Sequence, residues 1–134
     1  MRDKVFLDSN VILYAFGGER TKKEIIKILI RERPLISVQV VNEVINVLTK
    51  KFNFSTLEVK EVFDFFKAKA EIILINLHTI DIALTVKTRD NFSYWDSLIV
   101  ASAIESGCSI LFTEDMQHGQ VIEDVLTIKN PFIS

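Results

Sequence analysis

Short apolar, β-branched runs alternate with helix-length amphipathic segments along the whole chain, and this alternation constrains the fold more than any other feature. A strand that returns parallel to its predecessor needs a connection of roughly a dozen residues or more, usually a helix. Strands and helices in strict alternation therefore predict an α/β protein with a short parallel sheet between helical layers. The runs are Val5-Phe6-Leu7, Leu35-Ile36, Ile72-Ile73-Leu74-Ile75, Ile110-Leu111-Phe112 and a last, peripheral strand over 125–128, before the breaker Asn130-Pro131. The Ile72–Ile75 run is apolar throughout, as in a strand covered on both faces.

The intervening segments carry helix signals. A short helix is expected over 10–16, stopped by Gly17-Gly18. Thr21 with Glu24 has capping-box spacing and opens a helix with Ile25, Ile28 and Leu29 on its apolar face, ended by Pro34. Ser37 is a good N-cap for a helix to about Phe52, buried along Val40, Val44, Val47 and Leu48. Ser55 and Glu58 repeat the box for a helix to about Ala70, with Val59, Val62, Phe63 and Phe66 on one side and Phe65 widening it. Thr79 caps a helix to about Arg89, and Ser93 with Asp96 opens another, carrying Leu98, Ile99 and Ala103 and closed by Gly107. With no linker, repeat or low-complexity segment, residues 1–134 are expected to form one domain.

Composition excludes several classes. Of 134 residues, 49% are apolar and 25% charged, with four Gly and two Pro, a profile that rules against disorder. A lone Cys108 forms no internal disulfide, and one thiol with two scattered His builds no zinc site. The apolar run after Met1-Arg2-Asp3-Lys4 is too short for a signal peptide or membrane span, so a reduced, cytoplasmic setting is expected. A net charge of −2 argues against nucleic-acid binding, which usually shows a basic footprint. With five acids neutralised by metal, however, 16 bases face 13 acids, a surplus of three.

In sheets of this kind ligands bind beyond the carboxyl ends of the strands. Asp8 follows the first strand directly, and Thr113-Glu114-Asp115 follows the strand ending at Phe112. Asp96 sits near one helix start, and Glu43 about two turns into another helix whose polar side also carries Gln39, Asn46 and Lys50. Singly, each acid has an ordinary explanation as a cap, a first-turn residue or a solvated side chain. Together they predict a carboxylate cluster, and crowded carboxylates imply a bound cation. Mg2+ or Mn2+ suits such oxygen ligands, activates water and neutralises a leaving oxygen, the requirements of phosphodiester hydrolysis; two ions about 4 Å apart would share both tasks.

These residues resemble the PIN domain family and, within it, the VapC-type toxins of prokaryotic toxin–antitoxin pairs. The match rests on Asp8-Ser9-Asn10, Asn42-Glu43, Tyr94-Trp95-Asp96-Ser97-Leu98-Ile99 with Ala101, and Thr113-Glu114-Asp115-Met116-Gln117-His118-Gly119. The resemblance implies a flattened three-layer α/β/α sandwich, with Asp8, Glu43, Asp96 and Asp115 coordinating the metal and Glu114 a further candidate ligand. It implies that Ser9, Asn10 and Thr113 orient those carboxylates or a bound water. It also implies homodimerisation, cleavage of RNA such as tRNA, rRNA or mRNA, and a cognate antitoxin whose tail occupies the groove near the acids. An inactive RNA- or protein-binding module and a Mg2+-binding receiver domain are the competing readings. The first strand lacks the acidic doublet of a receiver, and the Ile72–Ile75 run ends in Asn76 rather than Asp.

Other residues are expected to serve partners or packing. Lys22, Lys23, Lys27, Arg31 and Arg33, then Lys50-Lys51, then Lys60, Lys67 and Lys69 form basic helix sides that are either solvated or in contact with phosphates. Phe52, Phe54, Phe65 and Phe66 read as core, or as an apolar patch for an antitoxin helix or a second subunit. Trp95 reads as a packing anchor and His118 as a turn residue; neither His118 nor His78 is expected to be a ligand.

Overall fold

The structure, a computed structural model, describes residues 3–133; Met1, Arg2 and Ser134, at the ends of the expected 1–134 unit, lie outside it. The elements in order are β1 (Val5–Leu7), α1 (Ser9–Ile12) continued by a 3-10 turn at Leu13–Ala15, α2 (Arg20–Arg31), β2 (Leu35–Ser37), α3 (Val38–Lys50), α4 (Thr56–Lys69), β3 (Glu71–Ile73), α5 (Leu77–Asp90), α6 (Tyr94–Glu105), β4 (Ile110–Phe112), β5 (Val121–Ile122) and β6 (Leu126–Lys129). The sheet order is β3-β2-β1-β4-β6-β5, parallel except for the β5–β6 pair. Helices cover it on both sides, giving the α/β/α sandwich that the alternation predicts.

Two strands depart from expectation. β6 is not peripheral: Ile110, Leu111 and Phe112 pair with Thr127, Ile128 and Lys129, and Leu126 and Ile128 are fully buried. β5, only two residues long, becomes that edge instead. Conversely, β3 is not covered on both faces. It is the opposite edge, beginning at exposed Glu71 and followed by Leu74, which is 72% exposed.

Local chemistry accounts for most helix starts. Ser37 Oγ accepts from the Val40 amide at 3.3 Å, and Ser55 and Glu58 form a complete capping box. Thr79 does not cap α5. Asn76 does, accepting from the Thr79 amide at 3.1 Å while the Thr79 hydroxyl accepts from the Asn76 amide at 3.2 Å. Asn76→Ala is therefore expected to cost about 1 kcal/mol, read as a lowered urea midpoint. Thr21 likewise caps nothing: α2 begins after Glu19 with no side-chain cap bond. Its buried face is also turned from the expected one, with Ile26 fully buried, Leu29 and Ile30 against the core, and Ile28 exposed. Apolar residues at 25, 26, 28, 29 and 30 allow two helical stripes, and contact with the core selects between them.

The core is built from Phe6 and Leu7 of β1, Ile36 of β2, Leu111 of β4, Ile128 of β6 and the buried stripe Val40, Val44 and Leu48 of α3, with Val47 only half-buried. α6 is buried nearly all round, from Ser97 to Ala103. Its small residues let α5 and the sheet approach closely. Gly107 takes φ 78°, a left-handed conformation that ends α6 with little strain. None of the described helices is long and apolar enough to cross a membrane.

Candidate active site

Strand register places the first two acids. Leu7 pairs with Phe112, and the Asp8 amide donates to the Phe112 carbonyl at 3.0 Å, so Asp8 and Thr113 leave the sheet side by side at its carboxyl edge. Asp8 caps α1, its Oδ1 accepting from the Ser9 amide at 2.8 Å. Its Oδ2 accepts from the Thr113 hydroxyl at 2.9 Å and from Asn10 Nδ2 at 3.4 Å. Thr113 Oγ1 in turn accepts from Asn10 Nδ2 at 3.1 Å and from the Asp115 amide at 3.2 Å. Asn10 Oδ1 accepts from the Glu114 amide at 3.2 Å, so Asn10 and Thr113 stitch the first loop to the loop after β4.

Glu43 joins from α3, its Oε1 accepting from Ser9 Oγ at 3.2 Å. Asp96 sits in the first turn of α6, where Ser93 caps the helix by accepting from the Asp96 amide at 3.1 Å. Gln39 Nε2 donates across to the Trp95 carbonyl at 3.1 Å and ties that turn to α3.

The electrostatics couple all four acids. Asp8 is 5% exposed, and burial pushes its carboxyl up to about 6, with repulsion from Glu43 and Asp96 adding and the bonds from Thr113 and Ser9 opposing. Glu43 is raised by burial and by repulsion from Asp96 and Asp115, against hydrogen bonds from Ser9 and Gln39. Asp96 is raised by burial and by Asp115. Among the ion pairs of the described residues, none contains Asp8, Glu43, Asp96 or Asp115. Among the described residues, no three His, Cys, Asp or Glu side chains stand close enough to close round one ion as drawn. The four carboxylates nonetheless form an all-oxygen donor set of the type hard divalent cations take.

Glu114 is engaged elsewhere. Its carboxylate accepts from Lys22 Nζ and the Tyr14 hydroxyl, each at 2.8 Å, and these bonds outweigh burial to lower its pKa. Lys22 also lies over the Tyr14 and Phe132 rings, 4.7 and 4.9 Å from their centroids. One member of the expected basic face of α2 is thereby turned inward. Arg33 donates to the Ala68 carbonyl and Lys60 and Lys67 pair with Asp64, so these groups are not simply free for phosphates.

Several side chains stand differently from expectation. Trp95 is no packing anchor: it is 63% exposed, edge-on to Tyr94. His118 does serve the turn, its Nδ1 accepting from the Asn130 amide at 2.9 Å, and His78 is exposed on the first turn of α5. Of Phe52, Phe54, Phe65 and Phe66, only Phe66 is buried in the core; Phe54 and Phe65 line a groove of about 890 Å3 with Phe16, Val62 and Ile30, and Lys27, Arg31 and Lys69 beside it. Gln39 lay on the polar side of its helix in sequence without an assigned role. Its signal was a polar residue one turn before Glu43, in a helix otherwise rich in Val and Ile.

A parallel-sheet sandwich with coupled carboxylates at its strand ends defines a class of acid-cluster α/β domains. The chain belongs to the PIN domain family, whose model matches residues 5–122. Among solved structures it is similar to a toxin–antitoxin complex from Klebsiella pneumoniae (19% identity, 96% of this chain and 98% of that one, TM-score 0.73). It is also similar to VapBC2 from Rickettsia felis bound to a promoter DNA fragment (19%, 93% and 96%, TM-score 0.69). A third similar structure is VapC20 of Mycobacterium tuberculosis, a toxin that cleaves the sarcin–ricin loop (13%, 84% and 90%, TM-score 0.67). Compared by sequence with curated proteins, the chain matches none. Family membership sets the receiver-domain reading aside.

Proposed function

We propose that this protein is a metal-dependent endoribonuclease and the toxin of a toxin–antitoxin pair, working as a homodimer in the cytoplasm. The observation that carries this reading is the placement of Asp8 and Asp115 at one edge of the sheet, with Glu43 bonded to Ser9 and the turn of Asp96 tied to α3 through Gln39, and no cationic side chain paired to any of the four among the described residues. Such a cluster is unfavourable without a cation. Asp8, Glu43, Asp96 and Asp115 would hold Mg2+ or Mn2+ through their carboxylate oxygens. A bound ion there supplies an activated water and neutralises charge on the leaving oxygen of a phosphodiester. Ser9 orients Glu43, and Asn10 and Thr113 orient Asp8. Glu114, paired with Lys22, serves to hold the loop after β4 rather than as a ligand.

Thr113→Val tests that orientation. It removes a donor to Asp8 and an acceptor for Asn10 and the Asp115 amide. The expected cost is about 1–3 kcal/mol in urea unfolding and roughly 10–100-fold in cleavage rate.

The groove lined by Phe16, Phe54 and Phe65 is the place proposed for an amphipathic antitoxin segment, its apolar side on the phenylalanines and its acids toward Lys27, Arg31 and Lys69. The deciding experiment incubates total RNA with purified, partner-free protein in Mn2+, wild type beside Asp96→Asn. Cleavage by the wild type that is lost in the variant supports the nuclease. Equal cutting by both removes the acids from the mechanism. One observation favours a second reading, a module that binds RNA without turnover: no three ligands stand ready around an ion among the described residues. Binding without cutting by the wild type would establish that module instead.

A further inference from the structure

Gln39 lies one helical turn before Glu43 on α3 and is 8% exposed. Its Nε2 donates to the Trp95 carbonyl at 3.1 Å, across to the first turn of α6. That carbonyl can only accept, so the amide orientation is fixed; the flipped form would set oxygen against oxygen. The consequence falls on Oε1, which is buried with no partner among the described residues. A buried carbonyl oxygen left unpaired is destabilising, and such groups are rare enough in folded proteins to need a reason. Methionine would occupy similar volume without that oxygen. What an amide provides here is an N–H donor that ties α3, one turn before Glu43, to the first turn of α6, beside Asp96.

We propose that Gln39 is a positioning residue that braces Glu43 against the N-terminal turn of α6 and so sets the spacing of Glu43 and Asp96 for a shared divalent cation. This inference rests on the nuclease reading. A brace of this kind acts through the ligands it holds, and loss of such supports ordinarily weakens metal binding by 10–100-fold. Its stability cost and its functional gain then point in opposite directions, which separates it from an ordinary packing contact.

The test compares wild type, Gln39→Met and Gln39→Glu by thermal unfolding in EDTA, by calorimetric titration with Mn2+, and by kcat and KM on RNA. Gln39→Met should unfold at or above the wild-type temperature, bind Mn2+ roughly 10–100-fold more weakly, and lose kcat by a similar factor with KM nearly unchanged. Gln39→Glu keeps the length and shape but has no N–H donors, and should not restore Mn2+ affinity. Unchanged Mn2+ affinity and kcat in Gln39→Met overturn the brace. A large fall in its unfolding temperature also overturns it, since the amide would then serve stability. If the wild type neither binds Mn2+ nor cuts RNA, the nuclease reading fails first and takes the brace with it.

Discussion

On the nuclease reading, Asp8→Asn is expected to unfold at a higher temperature than the wild type in EDTA at pH 7.5 while losing RNA cleavage by at least roughly 100-fold, since the charge of a residue proposed to hold the metal would supply several kcal/mol to such a reaction. The stability gain follows from burial. The Asp8 carboxyl titrates at about 6 in the folded protein against 3.8 when unperturbed, so it binds its proton more tightly folded than unfolded. Below about pH 4 it is protonated in both states and contributes nothing. Between there and about pH 6 the unfolded chain ionises first and stability falls; above that the whole penalty, about 3 kcal/mol, is present. Asparagine carries no charge to desolvate. It keeps one oxygen for the Ser9 amide, but the Thr113 hydroxyl already accepts from Asn10 and the Asp115 amide and can take the new NH2 only by giving one of them up, and the contact with Asn10 is lost. The net gain should therefore be about 1 kcal/mol, a few degrees in a chain of this size. A variant less stable than wild type, or one that still cuts, would contradict the account.

Phe6→Ala is the substitution expected to damage the fold most. Phe6 is fully buried in β1, a strand paired on both sides, opposite Leu35 of β2 and Leu111 of β4. The lost burial and the cavity together should cost about 3–5 kcal/mol, a large part of the roughly 5–15 kcal/mol that holds a domain folded. The urea midpoint should fall by roughly 2 M. Phe65→Ala is the matched control: the same residue type, 43% exposed on α4, expected to cost about 1 kcal/mol or less. Equal effects at the two positions would mean that the core does not lie where β1 places it.

The placement of Asp8 and the loop after β4 at one sheet edge was legible because both sit where local rules are strong. A strand of three residues leaves little freedom over where its end falls, so Asp8 and Asp115 could be set at one edge from sequence alone. Ser37 and Ser55 were equally plain, each a hydroxyl at the start of an amphipathic run. Where two local rules competed, the chain did not reveal the winner. Asn76 and Thr79 are both capping residues three apart, and only the structure shows Asn76 outside the helix. Leu74 continues an apolar run, and periodicity within such a run cannot distinguish a central strand from an edge one. β5 is too short to leave a pattern, and β6 looked marginal because its neighbour β4 lies beyond an intervening loop. Trp95 was misjudged because aromatic residues usually bury themselves. Gln39 carried only a faint signal, a polar residue one turn before Glu43, since its contact is with a helix more than fifty residues away.

β1 is made first and sits between two strands made later. Asp8 meets Thr113 across 105 residues of chain, and β6 adds to β4 only after that. A nascent chain therefore holds half of its acids with nothing to gather them, and long-range pairings of this kind close late and slowly. On the nuclease reading, the polypeptide stays inert until β4 has joined β1 and brought Asp115 to the edge that Asp8 occupies, so a neutralising partner is needed only after that pairing has closed.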